Sequence, residues 1–510
     1  MPHGDLAQLF AVLGGLGAAA LLLSRSRVQL LAGLALTTVA EAGLAAALIP
    51  GHDLKLFVSP PLHLAALILG LLVVAAGAAV FVRYPIAVPV ALLAAAPFRI
   101  SVSIGSQKAY LLVPLYAVLA AAMLALIVRV LRTREEHHLP PLLAVPGAAF
   151  VLLAGISLTW TRDLRQGTIE LLFFLFPFSA LVIAVLWSPF RNWHPRALAT
   201  TLVALAGVFS AVALFQRLTR GHLLAGDVER ANAYTTYFRV TSLFKDPSIF
   251  GRHVVIAIAV LLVVVWLGRI GFWLGTGLIA FLWAGLYFSY SQSSFVALFA
   301  VAVAIAYALG GTALKRVLMV GAAVCVLAGA AFVAVTAVND SARQATSGRT
   351  RLARVTWVVF ENHPLVGVGI GGQPQASRDE AKTHLSAKRD RSHTTPLTVA
   401  AELGVVGLLV YLALLAGAGR LLFLLTRRSR ALGLGAAAVF LTLLVHSLFY
   451  AGFFEDPIVW GVIGLAAWAL LALPQPSLAR PSAPVVEPPT RDGKRDRTPA
   501  GLQRQAPLAD

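Results

Sequence analysis

An all-α, polytopic transmembrane helical bundle of about 14 to 15 spans, with a large exterior loop carrying short helices, is the fold class the sequence predicts. Three observations carry that expectation: an apolar composition, apolar runs of bilayer length, and basic residues gathered in every second short loop. Of the 510 residues, 59% are hydrophobic and only 12% are charged, and the mean hydropathy is +0.82. A soluble fold cannot bury that much apolar surface.

Taken in order, the apolar runs lie near 6–24, 28–49, 62–82, 85–98, 109–131, 141–160, 168–187, 197–216, 250–268, 270–288, 290–310, 317–337, 396–419, 431–452 and 457–473. Most are long enough to cross about 30 Å of hydrocarbon at roughly 1.5 Å per residue, and lipid leaves the backbone no partner except itself, so each is expected to be a helix. The fourth run is short and interrupted by Pro85, Pro89 and Pro97, which predicts a broken or re-entrant element. No basic segment precedes the first run, so it is read as a span and not as a cleaved signal.

The loop cations set the orientation. Arg25 and Arg27, Arg83, Arg129 with Arg132 and Arg134, Arg191 and Arg196, Arg269, Lys315 with Arg316, and the arginines from Arg420 to Arg430 fall in alternate loops. By the positive-inside rule these loops are cytoplasmic, the N-terminus is outside and the C-terminal tail is inside. The chain then divides into N-terminal transmembrane helices (1–216), an exterior loop (217–249), further transmembrane helices (250–337), a large exterior loop (338–395), C-terminal transmembrane helices (396–473) and a Pro- and Arg-rich cytoplasmic tail (474–510) expected to be disordered.

Several function classes drop out at this stage. The formal charge of +19 is scattered between apolar runs instead of forming one basic face, so nucleic acid is not the expected partner. Cys325 is the single cysteine, which excludes a disulfide framework and a thiolate metal site. The GVGIGG stretch follows no strand and sits in no βαβ unit, so a dinucleotide site is not expected; its glycines are read as a tight turn near the membrane surface.

The 338–395 loop is rich in cations for an exterior segment, with Arg343, Arg349, Arg351, Arg354, Arg378, Lys382, Lys388, Arg389 and Arg391. A solvated face explains any one of them, but clustered guanidinium forks at headgroup depth suit the phosphates of a pyrophosphate-linked lipid. Leu352, Val355 and Val359 recur at helical spacing opposite Arg351 and Arg354, predicting an amphipathic interfacial helix. Further on, His393 stands ahead of a helix that Pro396 starts and that Thr394 or Thr395 can cap. The helix dipole and the neighbouring arginines favour a neutral imidazole there, able to act as a base. Glu402 lies about two turns into that helix, costly unless paired or facing a polar cavity, with Gly404 and Gly407 beyond it for close helix packing. In the other exterior loop Arg239, Lys245, Asp246 and Arg252 approach the ninth span; Lys245 and Asp246 can pair with each other, and Arg252 is either a snorkelling anchor or a phosphate ligand.

In order, these stretches resemble the O-antigen ligase and polymerase family of bacterial membrane glycosyltransferases. SLFKDPSIFGRHVV with Arg239 ahead of it, YSQSSFVALFAV, SGRTRLARVTWVVFENHPLVGVGIG and HTTPLTVAAELGVVG are similar to four family elements, over roughly residues 200–460. Thr394 and Ser248 stand where the family has asparagine, and the family's arginine is missing from SQSSF. The resemblance implies a GT-C-like fold in the bacterial plasma membrane, its site facing the exterior. It implies an undecaprenyl-pyrophosphate-linked glycan as donor, a glycan or lipid acceptor, polysaccharide assembly proteins as possible partners and no cofactor. Residue by residue it implies that Arg239 and Arg349 hold the pyrophosphate and that His393 activates the acceptor. Arg252 and Arg351 are further binding candidates, and Glu402, a catalytic candidate, stands with His446 and Asp456 in HSLFYAGFFEDP in a second tier that orients helices or lines the acceptor path. The loops hold no D-x-D pair, which favours an inverting, metal-independent reaction. The alternative is a transporter or flippase for a lipid-linked saccharide, which predicts ionisable residues deep in several spans and repeated halves; a non-catalytic scaffold is the third reading.

Overall fold

The computed structural model describes residues 4–48, 61–104, 107–224, 226–234, 237–321, 324, 349–380 and 392–474. Most of the run at 317–337, Cys325, Arg343, Lys382, Lys388, Arg389, Arg391 and the tail beyond 474 lie outside the described residues, as does the side chain of Arg349.

The fold is the expected helical bundle. Among the described residues 11 helices are long and apolar enough to cross a membrane, and three shorter apolar ones accompany them. In chain order they are α1 (Gly4–Leu22), α2 (Arg27–Leu48), α3 (Pro61–Arg83), α4 (Val88–Ala95), α5 (Val113–Arg132), α6 (Pro141–Ser157), α7 (Leu164–Glu170), α8 (Phe176–Leu186) and α9 (His194–Thr219). A short α10 (Gly226–Asn232) precedes α11 (Pro247–Trp266), α12 (Phe272–Tyr287) and α13 (Gln292–Leu309). After them come α14 (Arg349–Asn362), α15 (Gln373–Glu380), α16 (Thr395–Arg428), α17 (Arg430–Ser447) and α18 (Pro457–Ala472).

Proline in the first turn starts many of these helices, where its missing N–H costs nothing. Asp163, Asp246, Ser291 and Asp456 cap α7, α11, α13 and α18 by accepting a backbone N–H. The Pro-interrupted fourth run is indeed broken: a 3₁₀ turn over Pro85–Ala87 leads into α4, which has 8 residues. The apolar pattern gave no sign of the next element. Ile100–Ile104 and Gln107–Leu111 form an antiparallel hairpin, so the fifth span begins at Val113 and not near 109.

Two buried clusters hold the bundle. One joins α1, α6, α8, α16 and α18; the other joins α9, α11, α12, α13 and α17. Every residue of α8 is buried, whereas α3 is exposed along most of its length, the distribution expected of a central helix and a lipid-facing one.

The most consequential departure lies where the glycine-rich segment meets α16. Gly404 adopts φ 65°, ψ −166° and breaks the helix. The turn segment 364–369 inserts beside the break and exchanges backbone bonds with it: Val368 N–H and Gly369 N–H donate to the carbonyls of Ala401 and Glu402, while Val405 N–H donates to Pro364 O. A Cβ on Gly404 would lie 2.1 Å from Leu365 O, so this glycine admits the backbone of the turn segment and not a neighbouring helix. The glycines do make turns, with Gly367, Gly369 and Gly371 at φ 66°, 86° and 71°, but the turns are buried against other protein segments. Irregular backbone at this depth is tolerated because protein groups satisfy it, including Ile370 N–H on Ser157 Oγ, Thr161 Oγ1–H on Ile370 O and Arg162 N–H on Val368 O.

Candidate active site

The N-termini of α11, α13, α16 and α18 and the C-terminus of α17 meet at one end of the bundle, and their polar residues form a connected network there. Asp246, at the start of α11, accepts from Ser248 N–H at 2.6 Å through Oδ1 and from the Tyr450 hydroxyl at 3.0 Å through Oδ2. Asp246 is thus a cap and a tyrosine acceptor. Tyr450 lies in the α17–α18 connection, its ring 5.4 Å from that of His446 and 6.2 Å from that of His393. Burial, reinforced by the Asp246 carboxylate, pushes the Tyr450 phenol well above its ordinary range, so it remains a hydrogen-bond donor.

His446 Nε2 meets Ser293 Oγ at 3.1 Å, and Ser293 belongs to a buried serine turn at the start of α13. Within it Ser291 Oγ lies 3.2 Å from Ser293 Oγ and 2.8 Å from Ser294 Oγ. The turn reaches Arg239, whose Nε–H donates to Ser289 O at 3.2 Å. Asn232 clasps the backbone of Arg239 from both sides, accepting from its N–H and donating to its carbonyl, each at 3.0 Å. The Asn232 amide also meets His222 Nε2 at 2.8 Å. Hydrogen bonds thus lead from Arg239 through Ser289, Ser291 and Ser293 to His446, and ring contacts continue the line through Tyr450 to His393.

Arg252 takes a different place from the phosphate ligand considered above. It is 5% exposed and its Nη2 lies 2.7 Å from Asp456 Oδ2, while Asp456 Oδ1 caps α18 by accepting from Ile458 N–H at 2.8 Å. The guanidinium ties α11 to α18, and neither a snorkelling anchor nor an open phosphate ligand describes it.

His393 is half-buried just before α16. The cap expected from Thr394 or Thr395 is not made: the Thr394 hydroxyl donates across to Leu448 O at 3.2 Å, joining this segment to the end of α17. Gln373, fully buried, holds the segment from the other side. Its Oε1 accepts from Ser392 N–H at 3.0 Å, and its Nε2 donates to Thr356 Oγ1 at 3.1 Å and Ser377 Oγ at 2.8 Å. Its own N–H donates to Glu402 Oε1 at 3.4 Å, so Glu402 is buried but hydrogen-bonded to protein. Glu402 also lines a small cavity of about 60 Å³ with Glu170, Glu455, Thr395 and Thr398.

Arg349 begins α14, and Arg351, two residues on, is half-buried. Leu352, Val355 and Val359 are buried and Arg354 exposed, so the amphipathic face lies as its spacing predicts, packed on α16. Gln373, Asn232, Ser293 and Tyr450 were not singled out from the sequence; each acts by contact with a residue distant in the chain, which leaves no local pattern to read.

Residues 277–412 match a family model described as O-Antigen ligase. Three of the four stretches quoted above fall inside the match, and the stretch with Arg239 precedes it. No curated protein matches the chain.

Proposed function

From the premise of a multi-pass membrane protein with an O-antigen ligase-type segment at 277–412, we propose that this chain transfers a glycan from an undecaprenyl-pyrophosphate carrier to an acceptor hydroxyl at the exterior face of the plasma membrane. The observation that supports it most is the line of hydrogen bonds and ring contacts from Arg239 to His393, built by helix ends on the side that the loop cations make exterior.

In this reading the guanidinium groups of Arg239 and Arg349 hold the diphosphate, a task suited to planar forks. His393 takes the proton of the acceptor hydroxyl as its oxygen attacks the anomeric carbon. The bond from that carbon to the phosphate oxygen breaks, its electron pair leaves with the diphosphate, and configuration inverts. Charge develops on the leaving group, where fixed cations stabilise it most. Arg351 borders the phosphate site, Glu402 orients the His393 segment through Gln373, and Arg252 fixes the floor of the site through Asp456.

The test is Arg239→Ala, Arg239→Lys and His393→Ala in the native host, with membrane insertion checked separately. Each is expected to abolish the mature glycan while lipid-linked precursor accumulates, the lysine included, because it lacks the bidentate fork. Normal glycan from inserted Arg239→Ala and His393→Ala refutes the proposal. Chain length in a deletion strain separates a polymerase, which would leave single units on lipid, from a ligase, which would leave long chains.

A further inference from the structure

A large cavity lined by described residues lies away from this network, in the basic half of the bundle. It has a volume of about 1060 Å³, and α4, α8, α9, α11, α12, α17 and α18 contribute to its walls. That is the upper end of the range for small-molecule sites, roughly 300–1,000 Å³. The walls are almost wholly aliphatic, as at Leu92, Val185, Leu202, Val260, Leu278 and Val439. One end of the lining holds the buried Pro457 and Ile458, directly after Asp456, whose charge is already taken by Arg252. The polar residues of the lining lie at the other end: Arg196 at the start of α9 and Arg269 between α11 and α12, with Asn192, Trp193 and Ser429. Arg196 and Arg269 are exposed, and neither pairs with a carboxylate among the described residues. Trp193, 44% exposed, stacks on His194, whose Nε2 lies 2.8 Å from Ile86 O, so the rim is held in place.

We infer that this cavity binds an anionic phospholipid of the cytoplasmic leaflet, with its acyl chains between the helices and its phosphate on Arg196 and Arg269. An apolar slot alone says nothing of its occupant; the position of the charge does. Basic pockets between transmembrane helices on the cytoplasmic side recognise anionic headgroups, and an interfacial tryptophan belongs at that depth. A polyprenyl diphosphate held from the exterior would place its phosphates at the end lined by Pro457 and Ile458, which offers no cation, and away from both guanidinium groups. A second copy of the chain on a two-fold axis sets the arginine pair against itself, which like-charge repulsion opposes. The inference is independent of the transfer reaction.

The test uses the full chain, purified in detergent, stripped of lipid and titrated with phosphatidylglycerol, phosphatidylethanolamine or undecaprenyl phosphate under native mass spectrometry. Retention of a single phosphatidylglycerol per chain, in preference to the other two, is expected. In R196Q/R269Q its apparent affinity falls at least tenfold, the order expected when two surface cations are removed, and in R196K/R269K most of it remains. Phosphatidylglycerol brominated on its acyl chains quenches part of the tryptophan emission, and Trp193→Phe removes much of that part. Equal retention of phosphatidylethanolamine, displacement by undecaprenyl phosphate, undiminished binding in R196Q/R269Q, or a dimer that excludes lipid each overturns the inference.

Discussion

The pair Arg252 and Asp456 joins two helices in the interior, and its removal tests the frame on which the polar network stands. The side chains are 7% and 2% exposed and the charged atoms lie 2.7 Å apart. At an effective dielectric of about 20 their attraction is about 6 kcal/mol, comparable with the several kcal/mol that desolvating each ion costs. The net value of the pair is therefore small, whereas either charge left alone is expensive. Arg252→Met strands a carboxylate, and Asp456→Asn strands a guanidinium while keeping the side-chain oxygen that caps α18. Each is expected to destabilise by about 3–5 kcal/mol. The double variant removes both charges and keeps the cap, so it recovers most of that loss. SDS titration of the detergent-solubilised chain, followed by circular dichroism, measures all four proteins in one double-mutant cycle. A loss below about 0.5 kcal/mol for Asp456→Asn, the range of ordinary surface substitutions, or a double variant as unstable as the sum of the singles, refutes the argument.

Other perturbations have equally definite outcomes. Gly404→Ala forces a side chain into a φ, ψ region open essentially to glycine alone and against Leu365 O, costing about 3 kcal/mol or more; Gly419→Ala, with open space around it, is the control, and thermal unfolding separates the two. Gln373→Ala leaves Ser392 N–H without its acceptor and a buried cluster without its hub, a loss of about 1–3 kcal/mol; faster amide exchange at 392–395 reports the loosening of His393. His222 is held below its ordinary pKa by burial, the larger effect, against the opposing pull of Glu229. The fold thus favours the neutral ring, so the stability it adds is present above the unfolded pKa and is lost as pH falls through the lower folded one. Hydrogen exchange over 226–240 is expected to rise on acidification, and a pH-independent profile contradicts the role given to the Asn232 clasp.

Long-range pairing marks the limit of what the sequence reveals about this fold. Helices were legible because lipid imposes a length and a polarity that any apolar run either meets or fails, and the prolines at 85, 89 and 97 announced a broken element by removing donors. The buried face of α14 was legible for the same reason, since Leu352, Val355 and Val359 follow the helical period. Gly404 misled because a glycine that admits a neighbouring helix and a glycine that admits the backbone of a turn look alike in one dimension. Arg252 was ambiguous because its partner, Asp456, lies more than two hundred residues away. The serine turn at 289–294 lacked the expected cation, and nothing local showed that its hydroxyls would meet His446.

Insertion of 364–369 beside broken α16 has a consequence for dissection of this chain. Peptide groups of Ala401, Glu402 and Val405 are completed by the preceding segment, and that segment is completed in turn by Ser157, Thr161 and Arg162 far toward the N-terminus. Excising the region ahead of α16, or exchanging it with that of a relative, strips donors and acceptors from a helix that is buried at this point. A viable chimera has to carry α16 and the turn at 157–162 along with the glycine stretch, and a fragment cut at residues 277 and 412 loses the latter half of that bargain.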